Sequence, residues 1–193
     1  PTAHRLITRL TEQNIRMVTF DVRLSNTAAK SSEWVPVKPG TDRAVVLAMC
    51  NVIMTEDLYK GDGEEFLKFV KATSGRNATT EVKVAALKAH LAEYTPEWAE
   101  EVSGVPADKI RTIAREVATV KPACIISYRG AVAHHHGADT ERAIMMLASI
   151  TGNIDNPGGR CKAVGAKWKY PKGPEDKPKA RKLKLVDGLP GLC

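Results

Sequence analysis

The 193-residue sequence predicts an α/β fold, a parallel sheet flanked by helices, doubly wound and of the nucleotide-binding type, with an irregular C-terminal extension. Three observations carry that expectation. Two short apolar runs, IRMVTF (15–20) and ACIISY (123–128), have the unbroken hydrophobicity of strands buried on both faces. Around them, apolar residues recur at helical spacing. The connection between the runs is far longer than a hairpin, which argues for parallel pairing. The two runs are therefore expected in one sheet, with Asp21 and Arg129 at the same edge.

The elements follow in order. HRLITRL has helical spacing and passes through Asn14 into the first strand, which stops at Asp21. A polar connection with prolines at 36 and 39 leads to RAVVLAMCNVIMTEDLY, a helix that Thr41 or Asp42 would cap. Residues 64–72 and 81–93 read as two amphipathic helices separated by the turn-like TSGRNATT. Thr95 caps a helix with Pro96 at its first position and Gly104 after its end, and Pro106 opens another that runs to Ala118. ACIISY is the second strand. The loop GAVAHHHGAD leads to Thr140, cap of the helix ERAIMMLASITG, which Gly152 ends. Met145 and Met146, with Ile144 and Leu147, read as core, and Trp34, Trp98 and Trp168 as packing residues.

Composition excludes several classes. At 43% hydrophobic and 26% charged, the chain is neither collagen-like nor disordered, nor a disulfide miniprotein. It has no apolar run of the roughly 18 residues a membrane helix needs, and PTAHRLITRLTEQN lacks the apolar core of a secretory signal. The start at Pro1 suggests a piece of something longer. Residues 1–159 carry 19 basic and 19 acidic side chains, while 160–193 carry 10 against 3, so the net charge of +7 belongs to the tail. Two parts are thus expected: an α/β domain over 1–159 and a basic extended tail over 160–193, rich in proline and glycine and lying across a neighbouring domain or subunit rather than on nucleic acid. Cys50, Cys124, Cys161 and Cys193 stand far apart with no zinc spacing. Cys50 and Cys124, in apolar runs, read as small buried hydrophobes.

In parallel sheets, ligands gather beyond the carboxyl ends of the strands. After the first strand come Asp21, Arg23, Ser25, Asn26 and Thr27; after the second come Arg129, Gly130, His134, His135, His136 and Gly137. A carboxylate only accepts hydrogen bonds, which suits ribose hydroxyls or the amino and imino donors of guanine. Glycines at a helix start suit a phosphate. The glycine spacing matches neither a dinucleotide fingerprint nor a P-loop. Each feature also has a plainer reading: Asp21 as a loop cap, PGTD as a helix start, the histidines as exposed loop residues that do not converge on one metal.

The run DVRLSNTAAKSSEWVPVKPGTDRAVVLAM resembles the "DPR-x-(S/T)-x-T-A … W-x-P-x-x-PGTD-x-A" segment of the molybdopterin oxidoreductases of the dimethyl sulfoxide reductase family. YTPEWAEEVSGVPADKIRTIAREVA is similar to the next segment of that family. RGAVAHHHGADTERAIMMLASITGNIDNPGG is similar to its "G-x-x-x-x-H-x-x-G … R-A-I-x-x-L-x-x-L-T-G-N-I-x-x-P-G-G" segment. The three blocks stand in the right order over roughly residues 15–160. Val22 replaces the usual proline after Asp21.

The resemblance implies part of a catalytic subunit that holds molybdenum or tungsten through two molybdopterin guanine dinucleotides, this stretch cradling one of them. Asp21, Arg23 and Ser25 would lie along the nucleotide, with Gly40, Thr41 and Asp42 at the guanine edge. Arg129, Gly130 and the loop to Gly137, with Gly152 and Asn153, would run along the pterin and pyrophosphate side. His135, His136 and Arg129 are candidates for facing the reacting centre, and no residue here is expected as a metal ligand. A 4Fe-4S cluster and the ligand to the metal are expected before the first block, and a barrel domain after the last. The wording around YRG is nearest to reductases of polysulfide, thiosulfate, tetrathionate or arsenate. An iron-sulfur electron-transfer subunit, a membrane anchor subunit and a small-molecule substrate are the implied partners, in the periplasm or at the membrane, with the cytoplasm still open. A cofactor-free structural relative in an electron-transfer complex and a stand-alone nucleotide-binding module remain alternatives.

Overall fold

The computed structural model of the protein describes residues 2–68 and 78–161. The expected tail beyond Cys161, the end of the 64–72 helix and most of the TSGRNATT turn lie outside the described residues. Among the described residues no helix is long and apolar enough to cross a membrane.

A first helix, α1 (Thr2–Glu12), ends in a turn at Asn14, whose φ of 51° is left-handed. Strand β1 (Val18–Asp21) begins three residues later than the apolar run, because Ile15 is exposed beyond that turn, and it takes in Asp21. Its partner is β2 (Glu33–Pro36), parallel and in register from Val18 opposite Glu33 to Asp21 opposite Pro36. Trp34 stands in this strand and donates from its indole nitrogen to the Asp21 carbonyl at 3.0 Å. The fold is α/β with a parallel sheet; among the described residues that sheet has two strands.

The second strand is a correction to the sequence reading. Residues 123–128, expected as a parallel strand in one sheet with β1, do not form a strand. They are extended, with half-buried and exposed positions alternating, and the backbone of residues 124–127 makes no hydrogen bond to another described residue. Ile125 packs against the core, while Ile126 and Tyr128 are 71% and 81% exposed. Composition made this segment extended, but a ladder also needs a neighbour at the right spacing. Cys124 is accordingly exposed rather than buried.

The core is built on α2 (Asp42–Thr55), apolar almost all round as a fully covered helix must be. Ala44, Val45, Ala48, Met49, Cys50, Val52, Ile53 and Met54 are all buried. Burial pushes the Cys50 thiol well up, so it stays protonated. Around α2 pack α4 (Thr80–Leu91), α5 (Pro96–Ser103), α6 (Ala107–Thr119) and α8 (Gly137–Ile150), with α3 (Glu64–Leu67) against α8. The caps of α5 are those the sequence predicts. The Thr95 hydroxyl accepts from the Trp98 amide at 3.2 Å, Pro96 opens the helix, and Gly104 at φ 76° closes it. The last helix differs: α8 starts at Gly137 behind His136 at φ 60°, and Thr140 lies inside it, buried. Ile144 and Leu147 are buried, and Met146 packs partly buried against the core.

Charged groups fasten the sheet to α6. Arg16 bonds Glu33 at 2.8 Å and Glu116 at 2.9 Å, and Lys109 reaches Glu33 at 2.5 Å. Lys109 first and Arg16 second hold the Glu33 carboxyl below the usual carboxylate range. A depressed carboxylate contributes stability above its unfolded pKa and loses it as pH falls through its folded pKa. Glu33→Gln should therefore lower the thermal midpoint at about pH 7, and the gap to the wild type should close by about pH 3. A gap that persists in acid would mean that the loss comes from packing and not from charge.

Candidate functional site

Parallel pairing ends β1 and β2 at one sheet edge, so the chain leaves Asp21 and Pro36 side by side. Among the described residues the Asp21 carboxylate accepts only one long bond, 3.5 Å from the Arg23 amide, and the Arg23 side chain is exposed. Ser25 is engaged locally, accepting from the Ala28 amide at 3.3 Å to start a short 3-10 turn over Ala28–Lys30.

After β2, the loop to α2 is pinned to the end of α5: the Lys38 amide donates to the Ser103 carbonyl at 3.0 Å. Gly40 takes φ 76°, a left-handed conformation that disfavours side chains. Thr41 occupies the cap position of α2, but its hydroxyl donates to the Lys38 carbonyl at 2.7 Å and caps no helix amide, while its carbonyl accepts from the Ala44 amide at 2.9 Å. Asp42, in the first turn, is half-buried, and its carboxylate has no partner among the described residues. An unpaired carboxylate at a helix start is a ready acceptor for a ligand that carries donors.

The third loop meets the second. A methyl group at Gly40 would lie 3.5 Å from the His134 imidazole, and Arg43 stands 3.8 Å from Asp139, so α2 and α8 begin side by side. Within this loop is α7 (Arg129–Val132), which packs on α8 so closely that a methyl at Gly137 would fall 1.8 Å from the Val132 carbonyl oxygen. His134, His135 and His136 are exposed; the last two rings meet edge to face at 4.0 Å, and His136 Nδ1 is 3.5 Å from Asp139. No group of three His, Cys, Asp or Glu among the described residues is placed to hold a metal ion.

Beside this loop lies a groove of about 540 Å³, lined by Tyr128, Arg129, Val132, Gly137, Glu141 and Arg160 among others. Arg160 is neutralised by Glu141 at 2.8 Å, whereas Arg129 has no partner among the described residues. Among the described residues the groove thus presents one free cation. Of the residues lining this groove, the sequence singles out Arg129 and Gly137 but not Ser127, Glu141 and Arg160, whose spacings of 14 and 19 residues carry no local signal, and Gly130 is not among the lining residues.

Gly152 and Asn153 stand apart from this cluster. Gly152 follows the far end of the 14-residue α8, a helix about 20 Å long. There, a second pocket of about 330 Å³ is lined by Asp62, Lys121, Pro122, Gly152, Asn153 and Asn156, among others. Lys121, whose ammonium is pulled below its ordinary value by burial against the opposing effect of Asp62, donates to the Thr151 carbonyl and so serves the C-terminal end of α8. Asn153 is 2% exposed and its amide is engaged on both sides: it donates to Thr151 Oγ1 at 2.8 Å and accepts from the Ala123 amide at 3.2 Å.

Residues 1–172 match the family model described as molybdopterin oxidoreductase. The chain is similar to the dimethyl sulfoxide reductase DmsA of Escherichia coli, 35% identical over 170 residues, which are 83% of this chain and 20% of that protein. It is 39% identical over 158 residues to the thiosulfate reductase molybdopterin-containing subunit PhsA of Salmonella typhimurium, covering 81% of this chain and 19% of that one. The acetylene hydratase of Pelobacter acetylenicus superposes with a TM-score of 0.62 at 27% identity, over 75% of this chain and 18% of the hydratase. The chain spans about a fifth of the length of the curated relatives it matches.

Proposed function

The chain belongs to the molybdopterin oxidoreductase family, and from that premise we propose that it is part of a catalytic subunit binding molybdenum or tungsten through two molybdopterin guanine dinucleotides, one of them cradled by the edge where β1, β2 and the starts of α2 and α8 converge. The observation that carries the reading is the pairing of an acceptor, Asp42, with a cation, Arg129, both without a partner among the described residues, in neighbouring loops joined at Gly40 and His134. These residues fit the group: guanine offers donors to a carboxylate, and a pyrophosphate calls for a cation and close backbone.

Asp42 accepts from the guanine amino and imino hydrogens, with Gly40 and Thr41 giving the base close approach. Asp21, Arg23 and Ser25 line the nucleotide from the end of β1. Arg129 neutralises phosphate charge, Gly130 and Gly137 keep the backbone close, and His135 and His136, both exposed, face the pterin side. When bound, the metal and its pterins supply two-electron redox chemistry, here on a sulfur or arsenic oxyanion or a polysulfide, with electrons passed through iron-sulfur centres to a partner subunit; the protein supplies binding, orientation and charge.

Asp42→Asn replaces an acceptor by a group that sets a donor against a donor. The expected cost is about 1–3 kcal/mol of cofactor affinity. It is read as pterin and metal content after mild denaturant treatment of the native complex. Full retention in the variant would remove Asp42 from the site. A wild-type complex without pterin or metal would favour a cofactor-free relative instead.

A further inference from the structure

We propose that Glu141 is a positioning residue, which through Ser127 and Arg160 fixes the end of the extended segment from which Arg129 and the histidine loop spring. The proposal deepens the cofactor reading above and rests on it for the consequence, though not for the geometry. The Ser127 hydroxyl donates to the Glu141 carboxylate, with its oxygens at 2.8 and 3.0 Å. Arg160 Nη2 donates to Glu141 Oε1 at 2.8 Å, and Nη1 to the Ser127 hydroxyl oxygen at 3.3 Å. Three stretches of chain distant in sequence close on one carboxylate.

The cluster matters because, among the described residues, no backbone ladder holds residues 124–127. The line they follow is set by the Asn153 amide at Ala123, by Ile125 on the core and by Ser127 on Glu141. Ser127 stands two residues before Arg129. At the other end of the loop, Gly137 sits against the Val132 carbonyl with no room for a side chain. The loop is therefore held at both ends, and the Glu141 end is the polar one. Glu141 also neutralises Arg160, which leaves Arg129 as the free cation of the groove among the described residues. Ser127, Glu141 and Arg160 do not belong to the hydrophobic core, so their loss should act on the loop rather than on the fold.

The experiment is amide hydrogen exchange, with pterin content measured in parallel, on the full-length enzyme carrying its cofactor. Charge-assisted bonds of this kind lead us to expect about tenfold faster exchange at residues 129–137 in Glu141→Gln, with the amides of α2 unchanged. Pterin content should fall, and adding Ser127→Ala to Glu141→Gln should bring little further loss, because the two act as one unit. Arg160→Lys, which keeps the charge, should fall between wild type and Glu141→Gln. If Glu141→Gln fails to fold, Ser127→Ala alone removes a single oxygen and is read in the same way. Unchanged exchange at 129–137 would overturn the proposal, as would faster exchange with pterin content at the wild-type level. A wild-type enzyme without pterin would sink the cofactor reading, and the positioning role would then stand on faster exchange at 129–137 in Glu141→Gln and fall on unchanged exchange.

Discussion

Gly152→Ala should destabilise the protein by about 2–5 kcal/mol, measured by urea or thermal unfolding. Two costs combine. Gly152 holds φ 68°, which costs an L-residue about 1–2 kcal/mol. The conformation is imposed by the way α8 ends: the Gly152 amide donates to the Ser149 carbonyl at 3.0 Å and the Asn153 amide to the Ala148 carbonyl at 2.9 Å, the paired bonds of a Schellman turn. Then there is no space. A methyl group would lie 2.3 Å from the Asp62 Cβ and 2.8 Å from its carbonyl carbon, so backbone must move, at about 1–3 kcal/mol for overpacking. A loss below about 1 kcal/mol would show that the turn and Asp62 give way freely, and the account of how α8 ends would be wrong.

Asn153→Ala should cost about 2–4 kcal/mol, since it strips a buried residue of both its side-chain hydrogen bonds and leaves the Ala123 amide without an acceptor. The loss should be uneven along the chain: exchange should rise at residues 123–127 more than in α2. Asn153→Asp keeps an acceptor for Ala123 and loses the donor to Thr151, so it should fall between the two. Should Asn153→Ala instead fold as stably as wild type and lose only cofactor, the residue would be reaching ligand rather than holding the turn.

The sequence was most legible where its signals are local. Thr95, Pro96 and Gly104 announce α5 within ten residues, and each does what its type suggests, because caps and left-handed glycines depend on neighbours alone. β2 was not legible. EWVP lies in a polar, proline-containing stretch, and a proline at the last position of an edge strand needs no ladder donor there. The run at 123–128 misled in the opposite sense, since hydrophobicity reports extension and burial but not which strand lies alongside. Thr140 reads as the start of α8 because threonine is a familiar cap, whereas the structure uses His136 at φ 60°, a choice that composition does not reveal. Among the site residues, Asp42, Arg129 and Gly137 came from short patterns. The Ser127–Glu141–Arg160 cluster exists only once three distant stretches have been brought together.

The unladdered stretch before Arg129 also has a consequence for handling the protein in solution. Among the described residues the amides and carbonyls of 124–127 find no partner, and the outward positions of this stretch and its neighbour are Cys124, Ile126 and Tyr128, with no lysine or other charge among them to deter pairing. Natural sheet edges usually carry such a deterrent. When this 193-residue chain is concentrated by itself, copies should associate edge to edge, and light scattering should grow with concentration even under reducing conditions that exclude Cys124 disulfides. Ile126→Lys places a charge at the most effective outward position, so it should keep the chain monomeric at concentrations where the wild type scatters. Scattering that persists in that variant would move the source of association to another surface.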